Sequence, residues 1–170
     1  MTSRSRTGEG DRGLRRPALG HGLLWLAGAG LLHAAFSFFW AVGGVWLLAT
    51  VGQWAVRAAA EGGAAVRVAL AAIGMVKLVA ALLPALAEHG AGARARRWIR
   101  TVSWPGAIVL VAYGGANTIV AAAVLGGIVR PAGGYDPAAM VGHALLWDPL
   151  FLLWGLALAS GLALTRLPVA

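Results

Sequence analysis

Cysteine is absent from all 170 residues of the chain. This absence excludes disulfide bonds, thiol redox chemistry and metal sites with thiolate ligands. Charged residues are also scarce: they make up 12% of the sequence, whereas a soluble domain contains about 25%. Hydrophobic residues account for 59%, and the mean hydropathy is +0.76. We therefore expect lipid rather than water around most of the chain, and the length allows one domain.

Short catalytic and cofactor motifs are missing too. The sequence contains no glycine-rich phosphate loop, no nucleophile elbow and no His-Glu-x-x-His metal motif. His33, His143 and Asp148 are divided between two apolar segments, so their spacing along the chain cannot test a metal site. We predict no catalytic residue, no cofactor and no bound metal, and an enzyme is the less favoured interpretation.

Four apolar segments are each long enough to cross a bilayer, whose hydrocarbon core of about 30 Å needs about 20 helical residues. The sequence therefore predicts an all-α protein, a bundle of four transmembrane helices. The spans are about 19–49, 65–86, 102–128 and 137–164, within a membrane domain over residues 19–167. Residues 1–18 are predicted to form a disordered basic tail. A cleaved signal peptide is the alternative for the first segment, but its apolar run is too long.

The net charge of +8 comes almost entirely from arginines at the ends of the apolar segments. Positive charge beside membrane spans indicates topology before it indicates nucleic-acid binding, and no nucleic-acid partner is predicted. Both termini are predicted to be cytoplasmic, because this orientation places ten arginines inside and three outside. The inside set is Arg4, Arg6, Arg12, Arg15, Arg16, Arg94, Arg96, Arg97, Arg100 and Arg166, and the outside set is Arg57, Arg67 and Arg130.

Abundant Arg, Ala and Gly with a single lysine is typical of a GC-rich bacterial genome, which indicates a bacterial inner membrane. Within the chain, Pro84 followed by Glu88-His89-Gly90 predicts the end of the second helix. Residues 88–100 are predicted to form a basic loop. Residues 50–65 alternate apolar and polar positions, which permits a short helix at the membrane interface.

The fourth helix carries two Asp-Pro pairs. Asp136-Pro137 predicts its N-terminus, with a capping carboxylate and a proline in the first turn. Asp148-Pro149 repeats this pattern inside a segment of roughly 42 Å, which exceeds the bilayer core. The helix either continues with a kink at Pro149, which is the favoured interpretation, or breaks there.

Lys77 lies near the middle of the second span, where a charged side chain costs at least a few kcal/mol. Three interpretations are open. The amine could be functional, as a cation paired with Asp148 or as a neutral amine. It could belong to an ion pair that only stabilises the bundle, or it could snorkel to an interface. Asp148 itself could cap a broken helix or take part in binding or proton transfer.

The other spans carry further polar and aromatic side chains that share helical faces. Interhelical hydrogen bonds and interfacial aromatic anchors account for them without any function. The functional interpretation is a polar cluster inside the bundle, facing outward, that binds a small amphipathic ligand. Its predicted ligand-binding residues are His33, Trp40, Lys77, Tyr113, Asn117, His143, Trp147 and Asp148.

Several of these positions recur together in a known pattern. They are His33 with the Phe-Trp-Ala-Val-Gly-Gly run at 39–44, Lys77, Tyr113-Gly114 with Asn117, and Gly142-His143 with Trp147-Asp148-Pro149. Over about residues 19–165 the chain resembles an uncharacterised bacterial family of four-helix integral membrane proteins, a domain of unknown function. The resemblance implies four spans and brings no activity with it.

Three functions follow from these observations. The first is a membrane protein that binds or moves a small amphipathic molecule, in a cavity lined by Trp40, Trp147 and Tyr113 into which Lys77 and Asp148 both point. The second is a structural or assembly subunit whose polar cluster locks the bundle. The third is a membrane enzyme that uses His and Asp as acid and base on a lipid-like substrate. The bilayer is the partner common to all three, and the oligomeric state is open.

Overall fold

The computed structural model describes residues 27–165, except the side chain of His89. These residues form five helices and no strand, which confirms the all-α class for this part of the chain. The helices are α1 (Gly28–Ala41), α2 (Gln53–Glu61), α3 (Gly63–Gly90), α4 (Ala93–Leu125) and α5 (Pro137–Leu164). A short 3-10 turn, Leu48–Thr50, precedes α2. The predicted tail at residues 1–18 and the start of the first predicted span lie outside the described residues.

Three of the five helices, α3, α4 and α5, are long and apolar enough to cross a membrane. Helix α1 is apolar as well, but its described part has 14 residues, fewer than the about 20 that a bilayer core requires. A bundle with four spans therefore remains a prediction.

The first predicted span is wrong at its C-terminal end, because α1 ends at Ala41 rather than near residue 49. The backbone leaves the helix at Gly43, whose φ of +98° lies in the left-handed region that favours glycine. The chain then turns through residues 42–52 and enters α2. Helix α2 confirms the short helix predicted between residues 50 and 65.

The predicted boundary between the second and third helices is also wrong. Helix α3 continues through Pro84 to Gly90, and α4 begins at Ala93, so most of the predicted basic loop is helical. Pro84 removes only the hydrogen bond to the Ala80 carbonyl, and apolar helices tolerate this loss. Alanine and arginine are strong helix formers, which explains the helical start of α4.

The helices pack as two pairs. Helix α1 lies along α3, and α4 lies along α5. Smaller contacts between α1 and α5 and between α3 and α4 join the two pairs. Glycines permit the close crossings: a Cβ at Gly155 would lie 2.8 Å from the backbone nitrogen of Val111. Much of the outer surface is apolar, since only 22% and 17% of the most apolar stretches of α3 and α4 are buried. Soluble monomers rarely expose so large an apolar surface.

Candidate functional site

Helix α5 contains one turn of π-helix, His143–Trp147, immediately before Asp148-Pro149. Proline has no N–H to donate to the carbonyl four residues earlier. The wider i→i+5 turn of a π-helix accommodates such an irregularity without breaking the helix. Of the two alternatives for the fourth helix, the structure confirms the continuous helix, and the chain does not break at Pro149. It also confirms the predicted start, because the Asp136 carboxylate accepts from the N–H groups of Ala138 and Ala139 at 3.0 and 3.2 Å.

The π-turn creates a histidine–aspartate pair. In a regular α-helix, side chains at positions 143 and 148 would point about 140° apart. Here His143 Nδ1 lies 2.8 Å from Asp148 Oδ2. An ionised carboxylate can only accept, so the imidazole Nδ1–H is the donor. Asp148 is 1% exposed, so this hydrogen bond lies inside the protein.

A cleft of about 210 Å³ opens beside the pair, between α4 and the first half of α5. Four of the predicted ligand-binding residues line it together: Tyr113 and Asn117 from α4, and His143 and Asp148 from α5. Val120, Ala121 and Met140 supply an apolar wall. We call this hollow the Asp148 cleft.

Two polar groups in the Asp148 cleft are free to bind a ligand. No described residue forms a hydrogen bond with the hydroxyl of Tyr113 or with the side chain of Asn117. Tyr113 is 53% exposed, and its ring meets Phe151 edge to face with centroids 5.7 Å apart. The cleft therefore presents an aromatic ring, an amide and a buried carboxylate on one concave surface.

The close crossing of α4 and α5 forms the floor of this cleft. Gly114 packs directly on the backbone of α5, because a Cβ at this position would overlap Leu152 N and Asp148 O. The next glycine, Gly115, has room for a methyl group, with Leu152 Cδ1 at 3.8 Å as its nearest neighbour. Gly114 thus sets the distance between Tyr113 and Asp148.

Lys77 belongs to a second polar cluster, between α1 and α3. Its Nζ lies 3.1 Å from His33 Nδ1 and 3.1 Å from Ser37 Oγ. Ser37 Oγ donates to the His33 carbonyl at 3.3 Å. Because the ammonium can only donate, His33 Nδ1 accepts, and Nε2 must carry the imidazole proton. We call these three residues the Lys77 cluster.

Aromatic rings pack against the Lys77 cluster. The ring of His33 lies between Phe151 and Trp147, with centroid distances of 4.0 and 5.7 Å. Lys77 Nζ is 5.7 Å from the centroid of Phe151. His33 Nε2 is buried and has no hydrogen-bond partner among the described residues. The cluster is therefore a packed contact between helices rather than the wall of an open site.

The turn before α2 holds Trp147 in place. Trp147 Nε1 donates to Thr50 Oγ1 at 3.0 Å, and Thr50 Oγ1 donates to the Leu47 carbonyl at 2.6 Å. This carbonyl belongs to the only non-glycine residue with positive φ in the described part of the chain, Leu47 at +59°. The Thr50 carbonyl packs against Gly142, where a Cβ would collide with it. The turn therefore fixes the π-turn from the side opposite α4.

The opposite end of the bundle has its own polar network. Arg100 donates to Glu88 Oε1 and to Thr165 Oγ1, both at 2.7 Å, and also to the Leu162 carbonyl. These contacts join the end of α3, the start of α4 and the end of α5. The sequence showed Arg100 only as a topology signal, because nothing in its spacing indicates these partners.

The predicted cluster of eight residues thus divides into separate places. Lys77 does not pair with Asp148: within residues 27–165, Arg100 forms an ion pair with Glu88, and Asp148 forms its hydrogen bond with His143. Trp40 and Trp147 do not line the Asp148 cleft, contrary to the predicted cavity. Trp40 instead borders a cleft of about 330 Å³ with Gly43, Gly44 and Arg67.

Sequence reasoning missed three contributors, Ser37, Thr50 and Phe151. Ser37 follows His33 by one helical turn, and this spacing could have identified it as a partner of the same neighbour. Thr50 and Phe151 act through contacts between distant segments, which no local pattern reveals. No group of three or more His, Asp or Glu side chains within residues 27–165 is arranged to hold a metal ion.

Comparison with known proteins agrees with the resemblance seen in the sequence. A family model described as a protein of unknown function, DUF3995, matches residues 30–158. This range includes every position on which the resemblance rests, from His33 to Pro149. No curated protein and no solved structure matches the chain. Because the match covers well over half of the sequence, the chain belongs to the DUF3995 family.

Proposed function

We propose that the protein is a multi-pass protein of the bacterial inner membrane that binds a small amphipathic molecule in the Asp148 cleft. The apolar outer surface supports the membrane location, since side chains such as Val68, Val76, Ile108 and Ile119 are more than 60% exposed. Burying so much apolar surface in lipid is strongly favourable, at about 25 cal/mol per Å². As the sequence predicts, the chain crosses the membrane four times.

The distribution of arginine supports cytoplasmic termini. The Arg100 contacts bring the start of α4 and the end of α5 to one end of the bundle, together with Arg94, Arg96 and Arg97. The opposite end, where α3 begins and α4 ends, carries Arg57, Arg67 and Arg130. With the arginine-rich end in the cytoplasm, the Asp148 cleft lies toward the outer side.

A single observation carries the binding proposal: four polar side chains from two helices line one concave hollow, and one of them is a buried carboxylate. Ionisable groups within membrane spans are costly and are commonly functional. A cleft with an apolar wall and a few convergent polar groups is the usual form of a small-molecule site. The hollow between Trp40 and Arg67 and a groove of about 360 Å³ beside Trp98 are larger, but neither gathers a comparable polar set.

The structural alternative suits the Lys77 cluster rather than the cleft. Lys77, His33 and Ser37 bond to one another behind Phe151 and Trp147, so they connect α1 to α3 without facing a hollow. We assign this cluster a stabilising role. The cleft and the cluster therefore have different functions within one bundle.

Acid–base catalysis in the Asp148 cleft is a second candidate, because His143 and Asp148 lie 2.8 Å apart and both line the hollow. Such a pair could transfer a proton to or from a bound lipid-like substrate. Incubating the reconstituted protein with bacterial lipids and analysing them by mass spectrometry tests this candidate. A new lipid product that depends on His143 would favour catalysis over binding.

The binding proposal is tested by photo-crosslinking in nanodiscs with octanol that carries a diazirine on its alkyl chain. We expect labelling at Val120 and Met140, mapped by mass spectrometry. Val120→Trp should remove this labelling by filling the cleft. Ile119→Trp is the matched control, because Ile119 is 70% exposed and does not line the cleft. Equal labelling of the two variants, or no label in the cleft of the native protein, would overturn the proposal.

A further inference from the structure

One ring proton is enough to satisfy the short contact of the His143–Asp148 pair. The 2.8 Å contact between His143 Nδ1 and Asp148 Oδ2 needs one proton, which Nδ1 carries and donates to the carboxylate. The other ring nitrogen, Nε2, lies 3.4 Å from the Val51 carbonyl, which is long for an N–H···O hydrogen bond of about 2.7–3.2 Å. No second proton is required on the ring. A neutral imidazole that donates to a carboxylate leaves one negative charge beside the cleft.

No cation within residues 27–165 neutralises this charge. The one lysine of the chain, Lys77, bonds instead to His33 and Ser37. Arg100 pairs with Glu88 at the opposite end of α5. Tyr113 is the one other titratable side chain that lines the Asp148 cleft, and it brings no positive charge. A carboxylate in surroundings of low polarity strongly favours a positive partner.

The groups around the free carboxylate oxygen suit an ammonium ion. His143 occupies Asp148 Oδ2, and no described residue donates to Oδ1. The amide oxygen of Asn117 adds an uncharged acceptor on the same cleft wall. The exposed ring of Tyr113 can attract a cation through its π-face. The free Oδ1 is a charged acceptor and an ammonium group has only donors, so the two groups are complementary.

The remainder of the cleft suits an alkyl tail. Val120, Ala121 and Met140 line its apolar side, and Val120 is 56% exposed at its edge. A flexible Met side chain adapts to chains of different shape. On the basis of the proposed function, we propose that the ligand is an amphipathic primary ammonium ion, held by Asp148, Asn117 and Tyr113 and with its tail along this wall.

The test uses three diazirine probes that share one eight-carbon chain and differ only in the head group: octylammonium, octanol and octanoate. An alkylamine, like a lysine side chain with a pKa of about 10.4, is charged at neutral pH. Competition for labelling at Met140 in nanodiscs gives the relative affinities. We expect octylammonium to bind at least about tenfold more tightly than octanol, because charge-assisted hydrogen bonds are roughly twice as strong as neutral ones, and octanoate to bind most weakly.

Two variants test which residues cause the preference for octylammonium over octanol. Asp148→Asn should abolish the advantage of octylammonium over octanol. Tyr113→Leu changes an exposed residue, preserves the fold, and should reduce the advantage about threefold through the lost cation–π contact. If octanol or octanoate labels the cleft as well as octylammonium does, the ammonium assignment is wrong while the proposed function stands. If none of the three probes labels Val120 or Met140, the proposed function itself fails.

Discussion

The crossing of α4 and α5 at Gly114 gives a prediction with a built-in control. Replacing Gly114 by alanine places a methyl group against Leu152 N and Asp148 O, which are backbone atoms of a helix and cannot rotate away. Replacing the adjacent Gly115 by alanine meets only Leu152 Cδ1 at 3.8 Å, an ordinary contact with a flexible side chain. The two variants differ by one position and not in the atoms added.

The expected difference follows from packing. Overpacking a tight contact costs about 1–3 kcal/mol. Each substitution also gains up to about 1 kcal/mol of helix propensity, which cancels in the comparison. Gly114→Ala should therefore be less stable than Gly115→Ala by about 1–3 kcal/mol. For a chain of this size, that difference lowers the midpoint of thermal unfolding by about 2–12 °C.

The assay is thermal unfolding of both variants in the same detergent, followed by intrinsic tryptophan fluorescence. Octylammonium labelling of Met140 provides a second readout, because a wider α4–α5 crossing moves Tyr113 away from Asp148. Equal midpoints for the two variants, with unchanged labelling, would refute the crossing and with it the geometry of the cleft.

Three further predictions concern polar contacts elsewhere in the bundle. His33→Leu deprives the half-buried Lys77 ammonium of a partner and should cost about 1–3 kcal/mol of unfolding free energy. Adding Lys77→Met should recover most of this loss, and a double variant no more stable than His33→Leu would contradict the Lys77 cluster. Thr50→Val leaves the Trp147 N–H buried without a partner and should lower the unfolding free energy, measured by denaturant titration, by about 1–3 kcal/mol. Thr101→Val removes an exposed hydrogen bond within one helix and should cost less. Similar losses of stability in the two variants would argue against the link between the turn and α5. Arg100→Met should lower the midpoint of thermal unfolding, because it removes hydrogen bonds to Glu88 and Thr165. Arg97 is exposed, and Arg97→Met should leave the midpoint unchanged. An equal drop in both variants would contradict a stabilising role for the Arg100 network.

The long helices were predictable because each coincides with a long apolar run of the sequence. The apolar runs located α3, α4 and α5, and the Asp136-Pro137 signature gave the start of α5. Helix ends were predicted less well. The basic segment at 93–100 was interpreted from its charge, although Ala and Arg are strong helix formers. Pro84 was interpreted as a stop signal, which it is in water. Within an apolar helix the chain has no better place for its backbone hydrogen bonds, so the helix continues.

The polar residues were identified from the sequence, but their partners were not. Lys77 and Asp148 are complementary in charge, yet Lys77 pairs with His33 and Asp148 pairs with His143. The His143–Asp148 contact depends on the π-turn, and residues five apart in a regular helix do not meet. The Lys77 cluster depends on how α1 packs on α3, and no local pattern in the sequence predicts that packing. Membrane location, orientation and ligand binding stay predictions that experiment can decide.

The most direct measurement of ligand binding uses the fact that Asn117 is the only asparagine in the chain and Gln53 the only glutamine. Protein labelled with 15N in these two side-chain amides gives separate NMR signals from the Asp148 cleft and from the exposed start of α2. Titration with octylammonium in nanodiscs should shift the Asn117 signal, saturate, and leave the Gln53 signal in place, and Asp148→Asn should remove the shift. An Asn117 signal that stays fixed while octylammonium binds elsewhere on the protein would contradict the assignment of the cleft.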